Sequence, residues 1–396
     1  MQVSRKFDFK NSNGETLSGR LELPAGKPKA FALFAHCFTC SKNFIAASKI
    51  SKHLSLLGIA TLRFDFTGLG NSEGDFANTN FTSNIDDLKS AYSAIREEYS
   101  APELIIGHSL GGAAVLKLQE GLDEVKAVVT IGAPSDVEHV SHLFKSNIAE
   151  INELGRAKVN LAGREFEIQK QFIDDINEQD LLTCLSRSKK SFLILHSPID
   201  ATVSVDHAAK IYGALKHPKS YISLDKIDHL ITKVKDAQYI AEVISSWVTK
   251  YLNIDKVETK VIKEGVFVES RHGFKFTNDI TSPKHQLVAD EPKSVKGDDL
   301  GMAPYELLLS GLGACTSMTM RMYADRKGFD LQSIKVALTH EKADTGGDLK
   351  QDVIHKHIEL IGNLNTEERE KILAIADKCP VNRTLLSEVK MTKSSV

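Results

Sequence analysis

Hydrophobic residues in the first two thirds of the chain form short runs that alternate with helix-like stretches. Between Phe31 and about Leu252 the apolar runs are FALFAH, IATLRFDF, ELIIGHS, AVVTIGAP, SFLILHS and SYISLD. Apolar runs of this length, separated by amphipathic segments, are typical of parallel strands covered by helices on both faces. This half of the chain is therefore predicted to be α/β, with an edge strand in the alternating start MQVSRKFDFK.

The segment from about 135 to 190 interrupts this rhythm. RAKVNLAG and REFEIQKQF predict a small hairpin, and FIDDINEQDLL predicts one helix after it. Because the segment stands between two buried strands, we interpret it as a small cap inserted over the edge of the sheet.

The pattern changes character after a last α/β helix that ends near Tyr251 and a polar joint, LNIDKVETK. VIKEGVFVES, GFKFTND and KHQLVAD predict antiparallel strands, which are followed by a long helix from Pro304 to Lys327. Two more strands and a helix from Glu367 to Lys378 complete an α+β pattern. We therefore predict two domains, residues 1–255 and 256–396.

Composition narrows the classes of function. The chain has 396 residues, 42% hydrophobic and 26% charged, which is longer than a single core usually grows. A net charge of −2 gives no overall attraction for nucleic acid or an anionic membrane, and no run approaches the ~20 apolar residues of a membrane span. Five cysteines are too few for a disulfide framework, so we expect a cytoplasmic protein in which any paired thiols are catalytic.

The strongest chemical motif is the pentapeptide Gly107-His-Ser109-Leu110-Gly, which lies directly after the strand ELII and before the helix-forming AAVLKLQE. This G-x-S-x-G context predicts a strained turn that presents Ser109 as a nucleophile, with the amide of Leu110 pointing to the developing negative charge. The base and its acid should follow in the order Asp, His. Asp200 ends the strand FLILHSPID and His229 follows the last strand.

Three other acids, Asp136, Asp206 and Asp228, compete with Asp200 for the position beside His229. Asp206 lies in the next helix, Asp136 follows an earlier strand, and Asp228 adjoins the histidine but should point elsewhere. The order of the elements therefore favours Asp200.

The loop FALFAHCFTCSKN permits two chemistries. Cys37 and Cys40 have the C-x-x-C spacing of a redox dithiol, whereas His36 to Phe38 suit a loop that binds an oxyanion. A redox fold would leave the serine motif unexplained, and a serine nucleophile needs a second amide donor after an early strand. We interpret the loop as the oxyanion loop, in which Cys40 has no role.

These motifs, together with RFDFTGLGNS from Arg63 to Ser72, resemble the α/β-hydrolase family. The resemblance implies that the amides of Phe38 and Leu110 form the oxyanion hole, and that Cys37 stands where the family usually has glycine. It implies a structural role for Arg63 and Asp65. The cap is similar to the small insert of cinnamoyl esterases, and its apolar residues suggest a short acyl or aromatic ester; they are Leu161, Phe166, Ile168 and Phe172.

Two further cysteines lie in the second domain, in LLLSGLGACTSMTMR and ADKCPVNR. On their own, Cys315 and Cys379 are equally well explained as buried core residues. Both motifs resemble the OsmC/Ohr family over about residues 260–396. That resemblance implies a thiol peroxidase whose first cysteine attacks the peroxide and whose second resolves it, in a dimer intertwined around central helices.

The chain departs from the peroxidatic pattern around Cys315. Tyr305, followed by Glu306, occupies the position of the family's glutamate, and Arg271 and Arg383 are the candidates for its arginine. The nearly all-apolar helix from Pro304 nevertheless predicts burial against another helix. In a domain of roughly 140 residues this favours a homodimer.

We therefore predict a serine esterase acting on small-molecule carboxylic esters, with an OsmC-like domain that mainly dimerises the chain. No cofactor is expected, and no metal, because His355 and His357 share a strand face without a third ligand. One alternative is a thiol-dependent organic hydroperoxide reductase that uses Cys315 and Cys379, with the hydrolase as accessory. In another, the second domain binds a small apolar ligand.

Overall fold

The computed structural model describes residues 3–24, 27–161, 163–252, 264–271, 274–344 and 351–394. The chain separates into two compact units, residues 1–265 and 266–396. The boundary predicted at residue 256 falls within 253–263, which lie outside the described residues.

The first unit alternates strands and helices as its hydrophobic pattern predicts. Its strands are β1 (Val3–Lys6), β2 (Phe9–Lys10), β3 (Thr16–Leu17), β4 (Gly19–Leu23), β5 (Ala30–Ala35), β6 (Ile59–Phe64), β7 (Leu104–His108), β8 (Ala127–Ile131), β9 (Arg156–Leu161), β10 (Arg164–Gln169), β11 (Ser191–His196) and β12 (Lys219–Ser223). Its helices are α1 (Ile45–Leu56), α2 (Phe81–Glu98), α3 (Leu110–Leu118), α4 (Ile148–Leu154), α5 (Lys170–Asn177), α6 (Leu181–Arg187), α7 (Asp206–Ala214) and α8 (Val234–Val248).

Eight strands form one sheet in the order β1-β4-β6-β5-β7-β8-β11-β12. The strands from β6 to β12 in this order pair in parallel, while β1 and β4 are antiparallel at one edge. Every residue of β6, β7, β8 and β11 is buried, which explains why their sequences are mainly apolar. The predicted α/β fold is confirmed, and the carboxyl ends of its parallel strands lie at one edge, where α/β proteins place their sites.

The cap consists of the β9–β10 hairpin, a 3₁₀ segment at Glu138–Asn147, and α4 and α5. The single helix predicted after the hairpin is instead two helices. Asp180 accepts a hydrogen bond from the Thr183 amide at 3.1 Å and so caps the start of α6, three residues after α5 has ended at Asn177. The cap contacts the sheet end through aromatic rings, with Phe166 4.9 Å from Phe76 and Phe172 5.5 Å from Phe38 between centroids.

The second unit is α+β, as predicted. Its elements are β13 (Phe267–Ser270), β14 (Asn278–Thr281), β15 (Gln286–Ala289), α9 (Pro304–Lys327), β16 (Leu331–Ala343), β17 (Gln351–Gly362), α10 (Thr366–Leu373) and α11 (Pro380–Leu385). The first three strands form an antiparallel sheet, and β16 pairs with β17 in a long hairpin.

The helix predicted from Glu367 to Lys378 is shorter in the structure. It ends at Leu373, and Ala376–Lys378 form a 3₁₀ turn. Cys379 is extended, with φ −65° and ψ 144°, because Pro380 disfavours a helical conformation in the residue before it. Pro380 then begins α11 instead of merely ending the preceding helix.

Helix α9 is buried on one side only. Leu312, Thr316, Met320 and Ala324 face the interior of the unit. Other apolar side chains of the helix are exposed: Tyr305 is 51%, Leu308 40%, Met318 65% and Met322 72% accessible. Within one chain the β16–β17 hairpin, α10 and α11 cover one face of α9. Burial of its other face in a homodimer stays a prediction.

Candidate active site

Ser109 lies in the sharp turn between β7 and α3. Its φ of 56° and ψ of −126° are unfavourable for a residue with a side chain. The turn requires glycine on both sides: a Cβ on Gly107 would overlap the carbonyl oxygen of Gly111, and a Cβ on Gly111 would overlap the carbonyl oxygen of His36. The G-x-S-x-G motif is thus explained by close backbone approach, and α3 begins directly against the end of β5.

The structure brings Ser109, His229 and Asp200 into one chain of hydrogen bonds. His229 Nε2 lies 3.0 Å from Ser109 Oγ, and His229 Nδ1 lies 2.7 Å from Asp200 Oδ2. The side chains of His229 and Asp200 are 7% and 1% exposed. A carboxylate at Nδ1 keeps the proton on that nitrogen, which leaves Nε2 free to accept the serine proton.

The surroundings of Asp200 favour its ionised form. Burial raises the pKa of this carboxyl, but the hydrogen bond from His229 and the amides of Val203 and Thr202, at 2.8 and 2.9 Å, outweigh burial, and the pKa lies below its ordinary value. The carboxylate therefore keeps its charge beside His229 at neutral pH.

Two other histidines support this arrangement without carrying charge. Burial lowers the pKa of His108 to about 3, and its Nε2 donates to the carbonyl oxygen of His229 at 2.7 Å. Burial also lowers the pKa of His196, whose Nε2 is 3.7 Å from Asp200 Oδ2. Neither neutral ring competes with His229 for the carboxylate charge.

The competing acids are occupied elsewhere. Asp136 accepts the amide of His139 at 3.1 Å, Asp206 accepts the hydroxyl of Ser204 at 3.0 Å, and Asp228 accepts the hydroxyl of Thr232 at 2.7 Å. The structure places Asp200 beside His229, as the order of the elements predicts.

The two predicted oxyanion donors lie on either side of the close contact between α3 and β5. Leu110 is the first residue of α3, so its amide has no partner within the helix. In the described part of the chain, neither the Leu110 amide nor the Phe38 amide donates to a protein acceptor. Phe38 and Leu110 line the same cavity, and two unpaired amides there are suited to bind a negatively charged oxygen.

A buried network beneath the oxyanion loop was only partly predicted. Lys42, whose side chain is 4% exposed, forms an ion pair with Asp65, which also accepts the Asn71 amide at 2.9 Å. Arg63 donates to the carbonyl oxygen of Lys42 and lies 2.6 Å from Glu22. The structural roles predicted for Arg63 and Asp65 agree with these contacts. Nothing in the sequence around Lys42 or Glu22 indicates a buried ion pair, because their partners are distant in sequence.

Cys37 and Cys40 form a disulfide, with 5.4 Å between their Cα atoms. The interpretation that Cys40 has no role is therefore wrong. Thr39, between them, has a φ of 56°, and this tight turn is what brings the two cysteines within bonding distance. The oxyanion loop and the C-x-x-C are the same segment, so the two chemistries suggested by its sequence do not exclude each other.

The thiols of the second unit lie on α9 and at the start of α11. Cys379 is buried and its Sγ accepts the Asn382 amide at 3.3 Å. Burial raises the pKa of this thiol, but hydrogen bonds from Thr316, Asn382 and Cys315 lower it by more. The pKa therefore lies below its ordinary value. Cys315 is half-buried next to Thr316.

The residues considered as activators of Cys315 make other contacts. Glu306 accepts the amide of Ala303 at 2.8 Å and caps α9, and Tyr305 stacks on His340 at 4.3 Å. Arg271 forms an ion pair with Asp279, and Arg383 lies exposed on α11.

Neither a metal site nor a membrane span is found in the described ranges. His355 contacts Glu341 at 3.1 Å, and no group of three or more histidine, cysteine or acidic residues is arranged to hold a metal ion. No described helix combines the length and apolarity needed to cross a bilayer.

Two family models match the chain. The model described as "Serine aminopeptidase, S33" matches residues 26–189, and the model described as "OsmC-like protein" matches residues 297–394. The esterase domain of a Rhodothermus marinus protein is 42% identical; the match covers 64% of this chain and 99% of that one, with a TM-score of 0.52.

Two mammalian proteins are more distant. The mouse alpha/beta hydrolase domain-containing protein 10 is 21% identical, with a TM-score of 0.53 over 62% of this chain and 99% of that one, which shows the fold. The rat mitochondrial palmitoyl-protein thioesterase ABHD10 is 25% identical over 173 residues, 44% of this chain. The chain spans about half, 55%, of that relative's length. By the Rhodothermus match and the two family models, the chain belongs to the esterases of the α/β-hydrolase family and carries an OsmC-like domain after its hydrolase unit.

Proposed function

We propose that this protein hydrolyses small-molecule carboxylic esters through an acyl-enzyme on Ser109. The observation that carries the proposal is the hydrogen-bonded chain from Ser109 Oγ to His229 Nε2 at 3.0 Å and from His229 Nδ1 to Asp200 at 2.7 Å. It stands at the carboxyl ends of the parallel strands, beside the unpaired amides of Phe38 and Leu110.

In the first half of the reaction Ser109 Oγ attacks the ester carbonyl carbon while its proton passes to His229 Nε2. The carbonyl oxygen gains negative charge, which the amides of Phe38 and Leu110 stabilise. The tetrahedral species then collapses, the bond to the alcohol oxygen breaks, and His229 returns the proton to the departing alcohol.

In the second half a water molecule attacks the acyl carbon and gives its proton to His229. Collapse of that tetrahedral species releases the acid and returns the proton to Ser109. Asp200 keeps the imidazole in the required tautomer and stabilises its positive charge in both halves. Every group named lies in the first unit.

Of the two ester classes that the cap residues suggest, the space next to the oxyanion loop favours the short acyl ester. The ring of Phe38 is enclosed by Phe76 at 5.8 Å and by the cap residue Phe172 at 5.5 Å. The cavity that Phe38, Phe76 and Leu110 help to line measures about 20 Å³. A space of this size holds roughly one water molecule, so a long acyl chain would require the cap to move.

For the OsmC-like unit we propose a mainly assembling role. The exposed apolar face of α9, with Met318 and Met322 at 65% and 72% accessibility, would be covered by the same helix of a second chain. The hydroperoxide reductase is not favoured, because Glu306 caps α9 and Arg271 pairs with Asp279. The cytoplasmic location expected from the cysteine content remains a prediction.

The test is Ser109→Ala in the full chain, assayed with a p-nitrophenyl ester beside a cumene hydroperoxide assay. We expect ester turnover to fall to a few per cent or less while circular dichroism and the unfolding midpoint stay unchanged. Ser51→Ala is the control, because it removes a serine hydroxyl of the same unit that is buried and has no partner in the described structure. Substantial turnover by Ser109→Ala would reject the nucleophile. Peroxide reduction that Cys315→Ser abolishes would instead support the alternative.

A further inference from the structure

The Cys37–Cys40 disulfide surrounds one of the two proposed oxyanion donors. Phe38 and Thr39 are the residues enclosed by the bridge, and Phe38 supplies the amide. Cys37 is buried, at 4% exposure, whereas Cys40 is half-buried at the rim of the loop. A disulfide in this position constrains the backbone that carries the Phe38 amide.

Both ends of the loop are fixed without the disulfide. On the side of β5, His36 Nδ1 donates to the carbonyl oxygen of Cys37 at 2.8 Å. On the other side, Lys42 is held by its buried ion pair with Asp65 and by the bond from Arg63 to its carbonyl oxygen. Between these anchors lie Phe38 and Thr39, whose position depends on the turn that the cysteines close.

Besides the disulfide, the turn is held by the packing of the Phe38 ring against Phe76 and Phe172 and by two hydrogen bonds. The Cys40 amide donates to the Cys37 carbonyl oxygen at 3.2 Å, and Arg164 of the cap donates to the carbonyl oxygen of Thr39. Thr39 has a positive φ of 56°, a conformation that costs a β-branched residue about 1–3 kcal/mol. When the sulfur bridge opens, the backbone can relax from this conformation, and the Phe38 amide moves with it.

We propose that Cys37 and Cys40 form a redox site for dithiols, and that the disulfide form positions the Phe38 amide for ester hydrolysis. The proposal rests on the proposed esterase function. Cys37 and Cys40 are positioning residues here, since they act through the Phe38 amide. The co-reactant is a small or protein-borne dithiol and its corresponding disulfide.

The exchange is balanced as two thiol–disulfide steps. A thiolate of the dithiol attacks the more exposed Cys40 Sγ, the bond between Cys40 and Cys37 breaks, and Cys37 leaves as a thiolate that takes up a proton. The second thiol of the reductant then attacks the mixed disulfide and releases Cys40. Two electrons and two protons pass to the protein, and the dithiol becomes a disulfide; oxidation is the reverse.

Cys184 provides the matched control for this site. It is buried, donates to the carbonyl oxygen of Leu116 at 3.5 Å, and burial raises the pKa of its thiol to about 11. A thiol of this kind is inert towards exchange at neutral pH. Cys184→Ser should therefore leave the redox response unchanged.

The experiment equilibrates the full chain, in a Cys315→Ser/Cys379→Ser background, with mixtures of reduced and oxidised dithiothreitol. Free thiols are alkylated and counted by mass spectrometry, and kcat and KM are measured for p-nitrophenyl acetate in each mixture. Loss of a whole oxyanion donor costs about 10²–10³ in kcat, so loosening one is expected to cost about tenfold, with KM changed by less than about threefold. Reoxidation should restore kcat as the two thiols disappear.

Three results would overturn the proposal. The first is that Cys37 and Cys40 are free thiols in the most oxidising mixture, and the second is that kcat is unchanged although alkylation shows that the disulfide is open. The third is that the kcat of the Cys37→Ser/Cys40→Ser protein still responds to the mixtures. We expect that double variant to be insensitive to dithiol and to keep the kcat of the reduced protein. The thiol count does not depend on Ser109. A failed esterase assignment would appear as activity in Ser109→Ala, whatever state the cysteines are in.

Discussion

Replacement of Asp200 by asparagine tests the electrostatic part of the proposed mechanism. Asp200 Oδ2 lies 2.7 Å from His229 Nδ1, while its other carboxylate oxygen accepts the amides of Thr202 and Val203. Asparagine has nearly the same shape and keeps one carbonyl oxygen for these amides. The substitution therefore removes the negative charge with little change in packing.

The magnitude follows from the separation of the charges. When His229 becomes an imidazolium, its charge and the Asp200 charge are about 4 Å apart, and at an effective dielectric constant of about 20 they attract by about 4 kcal/mol. Each 1.4 kcal/mol, approximately, corresponds to a factor of ten, which gives a loss of about 10³ in kcat. An asparagine that favours the wrong tautomer of His229 raises the expected loss towards 10⁴, in order of magnitude.

The assay is steady-state hydrolysis of p-nitrophenyl acetate, with kcat and KM measured separately. We expect the loss in kcat, with KM within about threefold, because Asp200 acts on the charge that develops in the transition state. The pKa of Asp200 lies below its ordinary value, so the carboxylate is ionised from about pH 5 upward and the loss should persist across that range.

The control is Asp136→Asn, since Asp136 also follows a strand of the sheet but contacts His139 and lies 3.5 Å from His207. Its kcat should stay close to that of the unmodified protein. The reasoning is refuted if Asp200→Asn keeps more than about a tenth of kcat, or if Asp136→Asn proves the more damaging change.

Two other predictions concern assembly and stability. Light scattering should give the full chain twice its 43.6 kDa mass. The double variant Met318→Glu/Met322→Glu should be a monomer that retains ester turnover, whereas Cys315→Ser/Cys379→Ser should remain a dimer. A monomeric full chain would contradict the proposed role of α9. Lys42→Met should lower the free energy of unfolding by about 3 kcal/mol, because Asp65 keeps a buried charge without its partner. Denaturant titration measures this loss, and Lys158→Met, which breaks the exposed contact with Glu165, should leave the midpoint nearly unchanged; equal effects would refute it.

Much of the first unit could be predicted because its determinants are local. Strands buried on both faces require uninterrupted apolar runs, and the turn at Ser109 requires glycines that any sequence shows directly. The placement of Asp200 beside His229 could be predicted from chain order, because the ends of parallel strands meet at one edge. These features depend on neighbours a few residues apart, so their signal is present in short windows.

The features that were missed depend on distant or ambiguous partners. Lys42 and Glu22 acquire their roles only when folding brings them to Asp65 and Arg63. The C-x-x-C of Cys37 and Cys40 fits two chemistries, and nothing in its sequence says that the two cysteines are bonded to each other.

The backbone of Ser109 also limits how stable this fold can be. A φ of 56° is unfavourable for serine and unproblematic for glycine, so the position of the proposed nucleophile is also one where the native residue is not the most stabilising one. A Ser109→Gly protein should consequently unfold at a higher temperature than the active enzyme while it hydrolyses no ester. The hydrolase unit thus carries a trade-off between activity and stability in a single pair of backbone angles.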